Sequence, residues 1–158
     1  MASEFEIQNS LWFDLHRKNH LPIVPNFTPV NYHECDMWSL TKSGYYQEHE
    51  IKISKADYKK DAKKIKKHKM LEGKHENAPR QFWYVFPKML VDEKEIPDYA
   101  GLKLWDGFNF EVIINAPFIS TKKADDKIIK QAEKCFYWRF WNLRNKFQKK
   151  GKTVKKVY

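Results

Sequence analysis

Apolar and polar residues follow a helical pattern near both ends of the chain and strand-type patterns in between. Near the N-terminus, Ser3 and Glu6 have the spacing of a capping box, and apolar residues follow at helical intervals, which predicts a helix over about residues 4–19. A second helical pattern predicts a long amphipathic helix over about residues 122–148. Its apolar stripe, expected to face the core, contains Ile129, Ala132, Phe136, Phe140, Leu143 and Phe147.

Several segments between these helices have the patterns of strands. Residues 31–54 form two such segments around the turn Lys42-Ser43-Gly44, which predicts a β-hairpin. Residues 81–86 are a continuous aromatic and β-branched run, typical of a strand buried on both faces. A second hairpin is predicted over residues 102–114, because Asp106-Gly107 is a strong two-residue turn signal.

The remaining segments connect these elements. Three prolines in residues 21–30 predict an extended connection, and Ser54 can cap a lysine-rich helix over residues 55–70. The resulting order of elements predicts an α/β (α+β) fold in one domain over residues 1–150. Residues 151–158 are expected to be a basic, mobile tail.

Charge is unevenly distributed in this chain of 158 residues and formal net charge +10. Residues 55–80 carry 10 Lys/Arg against 4 Asp/Glu, and residues 121–158 carry 13 against 3. These segments favour a polyanionic partner, with nucleic acid ahead of an anionic membrane, although solvated helix faces are the alternative explanation. No apolar run approaches the roughly 20 residues that cross a bilayer. Cys35 and Cys135 do not indicate a disulfide framework, so a cytoplasmic location is expected.

The first hairpin gathers acidic residues within this basic protein. If both halves are strands, period-2 alternation places Glu34 and Asp36 on one face and aligns Glu48, Glu50 and Lys52. Hard divalent cations prefer oxygen ligands, and phosphodiester hydrolysis by a metal also needs a positive group near the attacking water. The hairpin therefore predicts a Mg²⁺ site, with Mn²⁺ as a substitute, that acts on phosphate.

The acid-x-Lys pattern alone is not specific, since it also begins at Asp57, Asp61, Glu72, Asp92 and Asp125. Only Glu50-Ile51-Lys52 lies on a predicted central strand, after an in-phase acid and before a helix. The alternative is a cross-strand ion pair on a solvated sheet face. His33 and His49 alternate to the opposite face, where packing is favoured over metal binding.

With Asp36 followed after 13 residues by Glu50-x-Lys52, the hairpin resembles the active site of the PD-(D/E)XK nuclease superfamily. Residues 53–61, 82–87 and 96–102 are similar to segments of small MmcB-like DNA-repair and phage proteins. The resemblance covers about residues 32–115. It implies a restriction-endonuclease-like α-β-β-β-α-β core, a mixed sheet flanked by helices, and Mg²⁺-dependent cleavage of DNA in a bacterium or the bacterial host of a phage. Cys35 replaces the proline of the nominal motif.

Carried over by position, the resemblance implies that Asp36 and Glu50 are metal ligands and that Lys52 is the catalytic lysine. The backbone carbonyl of Ile51 is expected to supply a third oxygen. Three further acids are weaker candidates: Glu6 from the first helix, which its capping role explains equally well, and Glu34 and Glu48 at the rim of the site.

Basic residues are expected to grip the DNA backbone, and no base-reading motif is visible, so little base selectivity is predicted. The candidates are Lys55, Lys59, Lys63, Lys66, Lys67, Arg139 and Arg144. Two other function classes stay open: a non-catalytic, nuclease-associated factor that keeps the fold, and a protein-interaction module built on the aromatic C-terminal helix. Trp138 and Trp141 favour packing in the core or in a homodimer over base stacking.

Overall fold

The computed structural model describes residues 2–73, 75–88 and 91–149. These residues form one six-stranded sheet, with β1 at Ile23–Phe27, β2 at Cys35–Leu40, β3 at Tyr46–Ile51, β4 at Gln81–Pro87, β5 at Ala100–Trp105 and β6 at Phe110–Ile114. They also form four α-helices, with α1 at Glu4–Arg17, α2 at Lys55–Asp61, α3 at Ile65–Glu72 and α4 at Asp126–Lys149. A short 3₁₀ helix spans Glu93–Glu95.

The strands lie in the sheet in the order in which they occur in the chain. Antiparallel pairing joins β1, β2 and β3 into a meander, and α2 with α3 forms the crossover to the parallel strand β4. Strand β5 is parallel to β4, and β6 is antiparallel to β5. This mixed sheet flanked by helices confirms the predicted α/β (α+β) class. Elements α1 to β4 have the order α-β-β-β-α-β if α2 and α3 count as one crossover.

Apolar side chains from both faces of the sheet hold the helices in place. On one face, Ile7, Leu11 and Leu15 of α1 pack against a cluster that includes Ile51 and Val85. On the other face, α2 and α3 cover β4 through a cluster of aromatic and aliphatic side chains that includes Tyr58, Leu71, Phe82, Tyr84 and Phe86. Burying this apolar surface is the main force that fixes the crossover helices above the centre of the sheet.

Two local predictions differ from the structure. The proline-rich segment predicted as a connection contains strand β1, which tolerates Pro25 because it is an edge strand. The single basic helix predicted over residues 55–70 is two helices, broken at residues 62–64. The caps at Ser3 and Ser54 are confirmed, and each serine side chain accepts a backbone N–H of its helix.

The prediction that the whole apolar stripe of α4 faces the core is wrong. Ile128 and Ala132 are buried against β1 and β2, whereas four later members are 39–55% exposed: Phe136, Phe140, Leu143 and Phe147. The first turns of the helix cover the edge of the sheet, and the later apolar turns extend beyond the packed core. The basic tail predicted at residues 151–158 lies outside the described residues. Within the described segments, each helix is too short or too polar to cross a membrane.

Candidate active site

Asp36 and the end of β3 meet where the pairing of β2 with β3 stops. The last paired residues are Met37 and His49, and Asp36 and Glu50 follow directly beyond this pair. Instead of a ladder contact, the Asp36 carboxylate accepts the Ile51 backbone N–H at 2.7 Å. Because residues in parallel register share a face, Glu50, beside Tyr84 of β4, faces the α2–α3 side. The structure thus brings Asp36 and Glu50 to one end of the strand pair.

Lys52 follows directly after β3 and folds back on Glu50. Its ammonium donates to Glu50 Oε1 at 2.6 Å, and only 4% of the residue and 2% of Glu50 are exposed. The contact is charge-assisted and largely withdrawn from water, so it is less screened than a surface pair. Glu50 and Lys52 are therefore in direct contact, and Asp36 lies beside them through its bond to the Ile51 amide.

Two further charged residues complete this cluster, and neither was assigned to it from the sequence. Lys67 of α3 lies 2.9 Å from Glu50 Oε2 and 3.1 Å from Asp61 Oδ1. Asp61 ends α2, accepts the Tyr84 hydroxyl at 2.7 Å, and is 3.6 Å from Lys52. The break between α2 and α3 allows both side chains to reach the sheet. The only sequence signals were an acid among lysines and a nearby tyrosine, and these are too common to be specific.

The electrostatic balance of the cluster is uneven. Burial, followed by the charge of Glu50, raises the pKa of Asp36 to about 7. Burial alone would raise the pKa of Asp61, but the charges of Lys67 and Lys52 hold it well below its ordinary value. Burial opposes the charged form of Lys52, yet Glu50 raises the pKa of that lysine. The Asp61 side is therefore neutralised by lysines, whereas burial and the charge of Glu50 disfavour the charged form of Asp36.

Of the two acids in the first turn of α1, Glu4 is linked to this cluster by a hydrogen-bonded side chain, and Glu6 is not. Glu6 is exposed and completes the capping box with Ser3, which lowers the pKa of its carboxyl. Gln8 donates to both Glu4 Oε1, at 3.2 Å, and the backbone oxygen of Asp36, at 3.1 Å. A glutamine amide thus links α1 to the acidic strand end.

Glu34 and Glu48 differ in their surroundings. Glu34 is exposed and precedes β2, so strand alternation does not bring it to the cluster. Glu48 is fully buried and makes a short contact with His33 Nε2. The prediction that His33 faces away from the acids is wrong, because His33 lies in the loop before β2. His49 does face away and is buried, with its Nε2 3.0 Å from the Lys103 ammonium.

Most of the lysines predicted to contact DNA are exposed near the cluster. Lys55, Lys59, Lys63 and Lys66 lie at the surface of α2, α3 and their connection, whereas Lys67 is buried in the cluster. A groove of about 870 Å³ runs between the loop before β2 and this helix pair. The basic and histidine side chains that line it are His33, Lys63, Lys64, Lys66, Lys67 and His75. It offers a positive path that reaches the cluster through Lys64 and Lys67.

The two arginines predicted to bind DNA lie on α4. The Arg139 guanidinium donates to the backbone oxygens of Pro25 and Asn26, so it fastens α4 to β1. Arg144 is stacked over the Trp141 ring, 5.7 Å from its centroid. The structure therefore gives Arg139 a structural role and places both arginines away from the groove lining.

Comparisons with known proteins support the fold. No protein-family model matches this chain, and no curated protein matches it. A solved structure of the SPO1766 protein of unknown function from Silicibacter pomeroyi is similar, with a TM-score of 0.60 at 20% sequence identity. The match covers 89% of this chain and 92% of that chain. The fold is shared. At this identity the likeness shows the fold alone.

The donor set at the strand end fits a hard divalent cation. A carboxylate offers about four lone-pair sites. The Ile51 amide uses one site of Asp36, and Lys52 and Lys67 each bind one oxygen of Glu50. The remaining sites are carboxylate oxygens, which Mg²⁺ prefers. Asp36 and Glu50 can therefore bind a cation while Glu50 keeps its lysine contacts.

Proposed function

We propose that this protein is a metal-dependent nuclease that hydrolyses phosphodiester bonds in DNA with little base selectivity. One observation carries the proposal: just beyond the last β2–β3 pair, Asp36 accepts the Ile51 amide and the Lys52 ammonium lies 2.6 Å from Glu50 Oε1. Two carboxylates and a lysine at one strand end are the groups that hydrolysis of a phosphodiester with a bound Mg²⁺ needs.

Asp36 and Glu50, with the Ile51 backbone carbonyl, would hold Mg²⁺ or Mn²⁺, and the bound ion would polarise the phosphate and acidify a water molecule. Side chains of the protein supply the remaining functions. Lys52 stays cationic because Glu50 stabilises its charge, so it orients the attacking water as a hydrogen-bond donor and offsets negative charge that develops on the phosphate. Lys67 and Asp61 keep Glu50 and Lys52 in place.

The groove beside the cluster supports a nucleic-acid substrate. Lys63 and Lys66 are exposed on its wall, and Lys64, whose side chain is 58% exposed, reaches within 3.7 Å of Glu50. Lysines in such a row bind the phosphates of a nucleic acid whatever its base sequence, and this binding releases counterions.

A non-catalytic nucleic-acid-binding factor is the second candidate. Both oxygens of Glu50 are bound by buried lysines, so this carboxylate is neutralised by the protein itself. A fold that keeps the groove but no longer needs the cation would have this arrangement. In that case the protein binds DNA with strong salt dependence and cuts none.

Incubation of the protein with plasmid, linear and branched DNA in Mg²⁺, Mn²⁺ or EDTA separates the two functions. We expect cutting with either metal, none in EDTA, and a loss of roughly 100-fold or more in Glu50→Gln. Glu111→Gln, an exposed acid of β6, serves as the matched control and keeps full activity. Binding without cutting in any metal supports the second candidate, and cutting that persists in Glu50→Gln contradicts the proposed site.

A further inference from the structure

A second group of potential metal ligands lies beside the candidate active site. Potential ligand atoms of His33, Cys35 and Glu48 lie within 4.8 Å of one another. Cys35 begins β2, Glu48 lies in β3, and His33 belongs to the loop before β2. Their ligand atoms are an imidazole nitrogen, a sulfur and a carboxylate oxygen, which are the donor types of zinc sites. None of the three is needed for the proposed hydrolysis.

The environment of the Glu48 carboxylate indicates that this group binds a ligand. It is fully buried, and one of its oxygens contacts His33. Among the described residues, its other oxygen, Oε2, accepts no hydrogen bond of ordinary geometry, although the buried Tyr32 hydroxyl lies close to the carboxylate. An unpartnered carboxylate oxygen in the interior is costly, because the desolvation of its charge is not repaid. A bound cation is the kind of partner that repays it.

We propose that His33, Cys35 and Glu48 bind a zinc-type divalent ion at a site separate from the one formed by Asp36 and Glu50. A tetrahedral ion with bonds of about 2.0 Å to nitrogen or oxygen and 2.3 Å to sulfur spaces its ligands about 3.3–3.8 Å apart. Adjusting a pair of ligand atoms from at most 4.8 Å to this spacing requires a change of about 1.5 Å or less in their separation. Rotamers of His33, in a loop, can supply that movement.

The ligand chemistry distinguishes this site from the proposed magnesium site. A sulfur ligand favours zinc or cobalt over magnesium. On binding, the Cys35 thiol loses its proton to solvent and the thiolate forms the metal–sulfur bond. His33 lines the groove, which provides an entry path and room for a water as the fourth ligand. Three protein ligands and an open position make a site accessible to solvent.

The ion would fasten the loop between β1 and β2 to the sheet. This loop, residues 28–34, forms one wall of the groove through Asn31, Tyr32 and His33. The Tyr32 hydroxyl is also buried beside Glu48, and its burial, followed by the charge of that carboxylate, raises its pKa. Binding at His33 would fix this wall relative to β3.

Cobalt titration of the metal-free protein tests the proposal. We expect one equivalent of Co²⁺ to produce a near-ultraviolet thiolate-to-cobalt charge-transfer band that Zn²⁺ removes and Mg²⁺ does not. Cys35→Ser abolishes the band, and His33→Gln weakens cobalt binding by about 10-fold or more. Cys135→Ser is the matched control, because this second cysteine lies in α4 and is outside the cluster.

The outcomes separate this site from the active site. Glu50→Gln keeps the cobalt band, and Zn²⁺ raises the melting temperature of the wild-type protein but not that of His33→Gln, which remains folded because His33 lies at the groove. A wild-type protein without the charge-transfer band overturns the proposal. So does a band that survives Cys35→Ser and disappears in Cys135→Ser.

Discussion

Five charged residues lie buried between the sheet and the α2–α3 pair, each at most 4% exposed: Glu48, Glu50, Lys52, Asp61 and Lys67. Removing such groups from water costs several kcal/mol per ion, and pairing returns only part of that cost. Apolar residues of similar size would stabilise the fold at least as well. The cluster therefore indicates a role beyond stability, which the proposed chemistry supplies.

Asp61→Asn tests whether the cluster depends on mutual pairing. The substitution preserves the shape of the side chain but leaves Lys67 and Lys52 to share Glu50. We expect the free energy of unfolding to fall by about 3 kcal/mol or more, measured by urea denaturation. Glu111→Gln should change it by less than about 0.5 kcal/mol. A loss below about 1 kcal/mol for Asp61→Asn would show that Asp61 is not a central partner.

Lys103 provides a separate test on the opposite face of the sheet. It is 3% exposed, donates to His49, and lies 4.4 Å from the Trp83 ring centroid. Burial, with a contribution from the charge of Lys18, lowers its pKa to about 7, while Asp14 opposes the shift. The folded protein therefore releases this proton near pH 7, whereas the unfolded chain keeps it to about pH 10.

Because the unfolded state binds more protons between these pH values, Lys103 makes stability increase with pH from about 7 to about 10, by up to about 1.4 kcal/mol per unit. Urea denaturation across this range measures the slope. Lys103→Met should remove that increase, and Lys94→Met, an exposed lysine of the 3₁₀ helix, should retain it. Equal slopes in Lys103→Met and wild-type protein would contradict a buried, neutral Lys103.

At the scale of elements, α4 differs from the other helices because its second half is apolar and exposed. Tyr137 is 58% exposed and Trp138 55%, and further aromatic residues follow to Phe147. Its 24 residues span about 36 Å, and its buried residues, Ile128 and Ala132, lie in the first two turns. Large exposed apolar patches mark interaction surfaces, and a homodimer, which the sequence leaves open beside core packing, would cover this one.

Sedimentation velocity at several protein concentrations tests that expectation. The wild-type chain should form a dimer whose stability changes little with salt, because apolar contacts dominate. The double variant Trp141→Glu and Leu143→Glu should be monomeric at the same concentrations. Lys130→Glu, an exposed change on the same helix, should still dimerise. A monomeric wild-type protein would show that a second copy of the chain does not cover the exposed face of α4.

At the scale of the whole molecule, the sequence predicts local structure better than contacts between residues that are far apart in the chain. The face of Glu50 was predictable because strand alternation places it, and Asp36 and Lys52 lie near it just beyond the paired residues. Asp61 and Lys67 were not predictable, since their burial depends on a helix break and on packing against β4. The exposure of the second half of α4 was also unpredictable, because helical periodicity identifies an apolar face but not what covers it.

The central claim is that Lys52 acts in the cleavage of DNA, and single-turnover kinetics tests it most directly. The rate of cleavage with saturating protein and Mg²⁺ is compared for wild type, Lys52→Met and the exposed control Lys130→Met. We expect a fall of roughly 100-fold or more for Lys52→Met, with DNA affinity unchanged and the control at the wild-type rate. Equal cleavage rates in Lys52→Met and wild type would contradict it.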